Sequence, residues 1–571
     1  MPPSTRRKTT RKILIGIFIF LLIVAIAFQV FIDRWLEPVI HSRLKTLIVS
    51  GSDSLYTFQL DDINVNFWAS SVEITNLHIH VDSLHYAQRE KAGTLPALTS
   101  EISVSKGSIN DIMLLQLVLK KKITIGSITS KSAGITLSRH FRKSDKKINT
   151  DNEPLWKLLQ PDIQAININR IMLNDINLTY SNADSARAFH WKFEHCSATI
   201  DNTKVDSLAF ADTTRTLYTK DISILFNKIK LQTSDALYAI EAKQLRYSSK
   251  SQSLIADDLK LNPVLGQQAF YKKIGYDKDR FALNFPKLEF INFRLPLFIK
   301  RNIISADTIE MTKPRVSVYK DRTAPADMRS KYGKYPQQLL SKLSFIIQVK
   351  QVKVTDGLVT YTEKNQKTKM EGKLIFQNLH GKITNLTNDD EWIANNSKCI
   401  ADLHGTFMDR SSIHSIFTFY LNQAKSGTFE VKADMEKVNA AELNPITLPL
   451  AQATVKSFDI KELHYYIKGN ERTGIGNLSM VYNNLEIELK KVDEDNGKIT
   501  NKGLASFLVN KLVVYSDNPM NNRERKAVNV RTERIPHKSF FNLVWKTLYA
   551  SVKDITIRLD SLKKDKSKKK K

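Results

Sequence analysis

Apolar positions follow three periods along this chain. From Ile13 to Ile32 they are continuous: the only polar side chain is Gln29 and there is no charge. Such a stretch predicts a helix roughly 30 Å long, the thickness of a bilayer's hydrocarbon core. Leu36, Val39, Ile40, Leu44, Leu47 and Ile48 then recur at helical spacing, predicting a short amphipathic helix. From about Tyr56 to about Glu533 the period is two, as in Ile63, Val65 and Phe67 or Leu77, Ile79 and Val81, with polar residues between them. This alternation predicts a mostly β body of successive antiparallel strands, roughly 20 to 28 of them. Within and after that body, short helical candidates are Pro154–Leu159, Pro336–Leu343 and Ser539–Val552.

An internal repeat organises the alternation. Ile163–Tyr180 can be laid without gaps on Ser344–Tyr361, matching Ile166 with Ile347, Ile168 with Val349, Ile171 with Val352, Leu173 with Val354, Asp175 with Asp356, Leu178 with Val359 and Tyr180 with Tyr361. Looser copies occupy Ile123–Leu137 and Ile304–Val318. Each reads as strand, turn residues, strand, so stacked units sharing one growing core are expected.

Charge sets the topology. Arg6, Arg7, Lys8, Arg11 and Lys12 precede the apolar run and Asp33, Arg34 and Glu37 follow it, which predicts a cytoplasmic N-terminus and an exported body. A cleaved signal peptide ending near Ala25-Ile26-Ala27 is the alternative to a retained anchor. The net charge of +28 is spread along the whole length, unlike the concentrated patch of a nucleic-acid binder. The tail 563–571 is almost all lysine and reads as a solvated end, with anionic lipid as its alternative partner. With only Cys196 and Cys399, a disulfide framework is excluded; two isolated buried thiols or a single bridge are the two readings.

Reactive chemistry is not legible. The chain has no GxSxG elbow, HExxH pair, Walker loop or dinucleotide fingerprint, so no catalytic residue, metal ligand or cofactor is predicted. Gly474-Ile-Gly476 reads as a turn, Asp493-Glu-Asp495-Asn-Gly497 as a turn lacking the terminal EF-hand carboxylate, and His78, His80 and His85 as solvent-facing positions in preference to a metal site. At the far end, Phe540, Phe541, Val544, Trp545, Leu548 and Val552 form one stripe: a helix capping the last strands, or an interfacial helix meeting a membrane or partner.

The single N-terminal span, the segment Phe31-Ile-Asp-Arg-Trp-Leu-Glu-Pro38, units such as ITIGSITSKSAGITLSR and VKQVKVTDGLVTYTEK, and the late Leu443-Asn-Pro-Ile-Thr-Leu-Pro-Leu450 with Gly476-Asn-Leu-Ser-Met-Val-Tyr482 resemble the AsmA-like, DUF748-type proteins of Gram-negative envelopes. That resemblance implies an elongated, curled β-sheet with an apolar groove, related to bridge-like lipid-transfer proteins. It implies a non-enzymatic protein of the inner membrane with its bulk in the periplasm. Phospholipid or another envelope lipid would be its cargo, and an outer-membrane or periplasmic protein its partner at the C-terminal end. The expected divisions are a basic cytoplasmic segment 1–12, a span 13–32 anchored through Ile13, Phe20 and Ile32, a membrane-proximal helix 33–55, a body 56–533, an amphipathic segment 534–562 and the tail. Expected groove residues are Ile166, Ile168, Leu173, Ile347, Val349, Val352 and Val354. A stalk of closed β-domains that positions a partner would produce the same alternation.

Overall fold

The computed structural model describes residues 48–557 apart from 67, 97, 114–115, 117–118, 141–153, 161–162, 183–188, 217, 234, 409, 493–498, 509 and 511–512, together with Ser42 and Lys45. The expected span with Ile13, Phe20 and Ile32, the tail and the EF-hand-like stretch lie outside the described residues. Of the expected membrane-proximal helix, Ile48 and Val49 are helical and run into a 3-10 turn at Ser50–Ser52. Among the described residues no helix is long and apolar enough to cross a membrane.

The described chain is mostly strand, in a mixed sheet with few helices. It divides into two compact units, one running to residue 234 and taking in 244–250, the other built from 235–243 and from 251 onward. The first holds β1 (Tyr56–Gln59), β2 (Asp62–Asn66), β3 (Ser71–Val81), β4 (Leu98–Asn110), β5 (Lys122–Arg139), β6 (Ala165–Asn182), β7 (Phe189–Val205) and β8 (Asp221–Gln232). After β9 (Tyr238–Ser248), whose residues are shared between the units, the second holds β10 (Ser253–Pro263), β11 (Arg280–Ile291), β12 (Ile303–Thr312), β13 (Arg315–Asp321), β14 (Ile346–Lys364) and β15 (Glu371–Thr387). It continues through β16 (Lys398–Phe407), β17 (Ser411–Tyr420), β18 (Phe429–Asn439), β19 (Ala453–Gly469), β20 (Thr473–Val492), β21 (Ile499–Asn501) and β22 (Lys526–Glu533).

The expectation of a purely antiparallel sheet is corrected where the repeat lies. β5 and β6 run parallel, with Ile123 opposite Ile166 and Leu137 opposite Tyr180. β14 runs parallel to β12 and then to β13, with Ile304 opposite Ile347 and Val318 opposite Tyr361. The matched segments are thus β6 and β14, and their looser copies are the strands beside them. Each parallel pair is flanked by antiparallel neighbours, β4 and β7 in one unit and β11 and β15 in the other. The physical reason lies in the connections: parallel neighbours need a crossover of a dozen residues or more. Those crossovers contain the short helices Leu155–Leu158 and Pro336–Leu340, which fall within two of the segments whose pattern predicts helix.

Asp175 in β6 and Asp356 in β14, matched in the repeat, both have φ +54°, and the register slips beside each. Aspartate tolerates this left-handed conformation better than most side chains, so the shared residue marks a β-bulge.

The cores of the units differ. In the second, β18, β19, β20 and β22 bury Phe429, Val431, Ile467, Leu478, Met480 and Tyr482 beneath the helices Ala440–Ala451 and Phe540–Thr556. Tyr335 and Phe540 close its end, Phe540 lying 4.8 Å from the Phe429 ring and 5.1 Å from that of Tyr335. Gly474 and Gly476 are not a turn: both lie inside β20, facing the C-terminal helix. A Cβ on Gly476 would stand 2.8 Å from Thr547 and 2.9 Å from Ser551, so the glycines are what let the helix approach the strand.

Candidate functional site

The candidate site is the apolar face of the first unit, assembled by register. Residues directly opposite one another on neighbouring strands share a face. One row runs Leu77, Val104, Ala133, Ile176 and Cys196 through β3 to β7. A second runs Ile79, Ile102, Ile135, Leu178 and Phe193, and a third runs Val72, Ile109, Ile128, Ile171, Ile200 and Ile222 into β8. Ile166 and Ile168 lie further along β6 beside Ile123 and Ile125, and Leu173 sits between Ser130 and Ala198. β-Branched side chains dominate because they suit a pleated surface and carry the area that makes it apolar.

Small residues let the middle of the face close on itself: Ala133, Ile176 and Cys196 are buried in one cluster with Leu173 and Phe193 packed against them. Around them Ile128, Ile135, Ile166, Ile168, Ile171, Leu178 and Ile200 remain half-buried. The helices described in this unit are too small to form a covering layer. Ser83–Ala92 buries none of its residues, and Leu155–Leu158 and Ser207–Ala211 have four and five residues. Burial in apolar surroundings pushes the Cys196 thiol up to about 11, as suits a thiol packed in the core. Cys399 in the second unit is likewise a free buried thiol, pushed up to about 11 by burial.

The other expected groove residues lie in the second unit. Ile347, Val349 and Val352 join Ala306 and Ile309 in one cluster with Leu288, Phe290, Ile383 and Leu386, and Val354 stands opposite Met311. Val349 is 0% exposed and Val352 2%, whereas Ile347 and Val354 are half-buried. The seven residues therefore divide into a half-open set on β6 and a more tightly packed set on β14.

The C-terminal stripe also divides. Phe540 is buried and Val544 and Leu548 pack on the core, so this face of the helix caps the sheet. Phe541 and Trp545 are exposed together with Tyr549, a residue the apolar pattern passed over, and the Trp545 and Tyr549 rings stack 6.4 Å apart. The i, i+4, i+8 spacing of these three was readable in the sequence. In β3 of the first unit, His78 is exposed and its ring stacks on His80 at 4.7 Å, while His85 meets Asp82 at 2.8 Å.

No protein-family model and no curated protein matches this chain.

Proposed function

We propose that this protein is a membrane-anchored envelope protein, similar in kind to the AsmA-like group, that holds or conveys lipid along an apolar β-groove and so supports outer-membrane lipid homeostasis. In this reading residues 13–32 anchor it in the inner membrane with the N-terminus in the cytoplasm, and the body lies in the periplasm. The observation that carries the proposal is the set of aliphatic rows crossing β3 to β8, most of whose side chains are only half-buried, with no substantial helix over them among the described residues. Each acyl CH₂ laid against such a surface is stabilised by about 0.8 kcal/mol, and the contact is non-directional, so a chain can slide. No reactive group is required. The exposed Phe541, Trp545 and Tyr549, followed by the lysine tail, suit an amphipathic contact at the C-terminal end with a membrane or an envelope protein.

A second reading has its own support. The helix-covered core of β18 to β22 is closed, as a positioning stalk would be. Native mass spectrometry of the full chain, with a photo-crosslinking residue at Ile168 or at its strand neighbour Asn167, separates the two. The groove reading expects copurified phospholipid and an adduct from position 168 alone. A lipid-free protein with no adduct at 168 would favour the stalk and remove the groove.

A further inference from the structure

The second unit carries a line of histidines that nothing in the lipid reading uses. Register places His380 of β15 opposite His404 of β16, His404 opposite His414 of β17, His414 opposite Asp434 of β18, and Asp434 opposite His464 of β19. Residues two apart on a strand share a face, so Asp402 stands beside His404 on the same side.

These facts bring three ligand-bearing groups to one point. His414 Nε2 lies 2.8 Å and His404 Nε2 3.7 Å from the same carboxylate oxygen, Asp402 Oδ1. The two imidazoles are stacked with ring centres 3.9 Å apart and planes 7° from parallel. The ligand atoms all fall within 4.8 Å of one another, and among the described residues this is the sole group of three or more such side chains that does so. Asp434 is already engaged, accepting from His464 Nδ1 at 2.6 Å, and His380 Nδ1 donates to the Asn378 carbonyl at 2.9 Å.

We propose that Asp402, His404 and His414 form a binding site for a divalent transition-metal ion, with Asp402 Oδ1 and the two Nε2 atoms as protein ligands and the remaining positions left to water or to a group from a partner. Two imidazoles with one carboxylate suit zinc, copper, iron or nickel better than calcium or magnesium, which take oxygen ligands. At a metal–ligand bond of about 2.0 Å, a tetrahedral site has ligands about 3.3 Å apart. The distances of 2.8 and 3.7 Å bracket that value, so small rotations of side chains on a formed sheet complete the site. All three side chains are partly exposed, between 32% and 49%, which leaves an entry path.

The test uses the metal-stripped full chain without a polyhistidine tag, titrated calorimetrically with Zn²⁺ alone. One Zn²⁺ per chain is expected. His404→Gln, His414→Gln and Asp402→Asn should each weaken binding by at least about tenfold while the metal-free variants melt with the parent. The double variant His78→Gln/His80→Gln, which alters a stacked histidine pair in the first unit, should bind as the parent does. Co²⁺ should give visible absorption that His414→Gln abolishes. If a histidine variant fails to fold, the near-isosteric Asp402→Asn carries the test. Absence of saturable Zn²⁺ binding, binding unchanged in the variants at 402, 404 and 414, or binding lost through His78 and His80 would each overturn the proposal.

Discussion

His195 Nδ1 and Asp175 Oδ1 lie 2.6 Å apart across β6 and β7, and both residues have φ +54°, so the two bulges are joined by a side-chain hydrogen bond as well as by the ladder. Both side chains are well exposed, at 75% and 45%, which limits the ion pair to a few tenths of a kcal/mol. The left-handed backbone matters more. Asp175→Asn, which keeps tolerance of that conformation, should cost little. Asp175→Ala should cost about 1–2 kcal/mol. Denaturant titrations of the two variants check the order; equal losses would show that charge dominates.

The two sets of groove residues should respond differently to the same change. Val349→Asp places an unpaired charge in a fully buried position and should destabilise by on the order of 3–5 kcal/mol. Ile168→Asp, at a half-buried position of β6, should cost only about 1 kcal/mol and still abolish lipid crosslinking. A loss at Ile168 as large as that at Val349 would mean that β6 is sealed in a closed core.

Gly476 lets the C-terminal helix rest on β20. Gly476→Val should cost about 1–3 kcal/mol through overpacking against Thr547 and Ser551. Gly503→Ala, whose added Cβ meets open space, should be neutral or slightly stabilising. Thermal melts of both variants check the contrast.

Arg329 donates to Asp327 through Nε at 2.7 Å and through Nη2 at 3.1 Å. This hydrogen bonding holds the Asp327 carboxyl down at about 2, below its ordinary 3.8. Because the folded value lies below the unfolded one, the stabilisation is fully present above the ordinary carboxyl range and is lost as pH falls toward 2. Asp327→Asn should therefore be less stable than the parent at neutral pH, with the difference shrinking between pH 4 and pH 2. A difference that does not change with pH would remove the carboxylate as its cause.

Much of the fold was legible in period alone. The segment Ile163–Tyr180 overlaps β6 (Ala165–Asn182), and three of the segments with helical pattern overlap the helices Leu155–Leu158, Pro336–Leu340 and Phe540–Thr556, whereas the helices Ser83–Ala92 and Ala440–Ala451 fall outside them. Period two is a local property of extended backbone: it says which residues share a face of their own strand, as Ile166 does with Ile168 and Ile171 with Leu173.

Which strand lies alongside, and what covers it, depends on contacts far apart in sequence. Long-range pairing set β5 and β6 parallel, placed the C-terminal helix over Gly474 and Gly476, and left Ile166, Ile168 and Leu173 of β6 half-buried while packing Val349 shut. The histidine line has the same origin. His404 and His414 are ten residues apart and follow no motif; register alone stacks their rings and turns both toward Asp402. Strand, face and repeat could be read from the chain because they follow from side chains adjacent along it. Pairing direction, coverage and the meeting of Asp402 with two histidines could not, because hydrogen bonding and packing between distant segments set them.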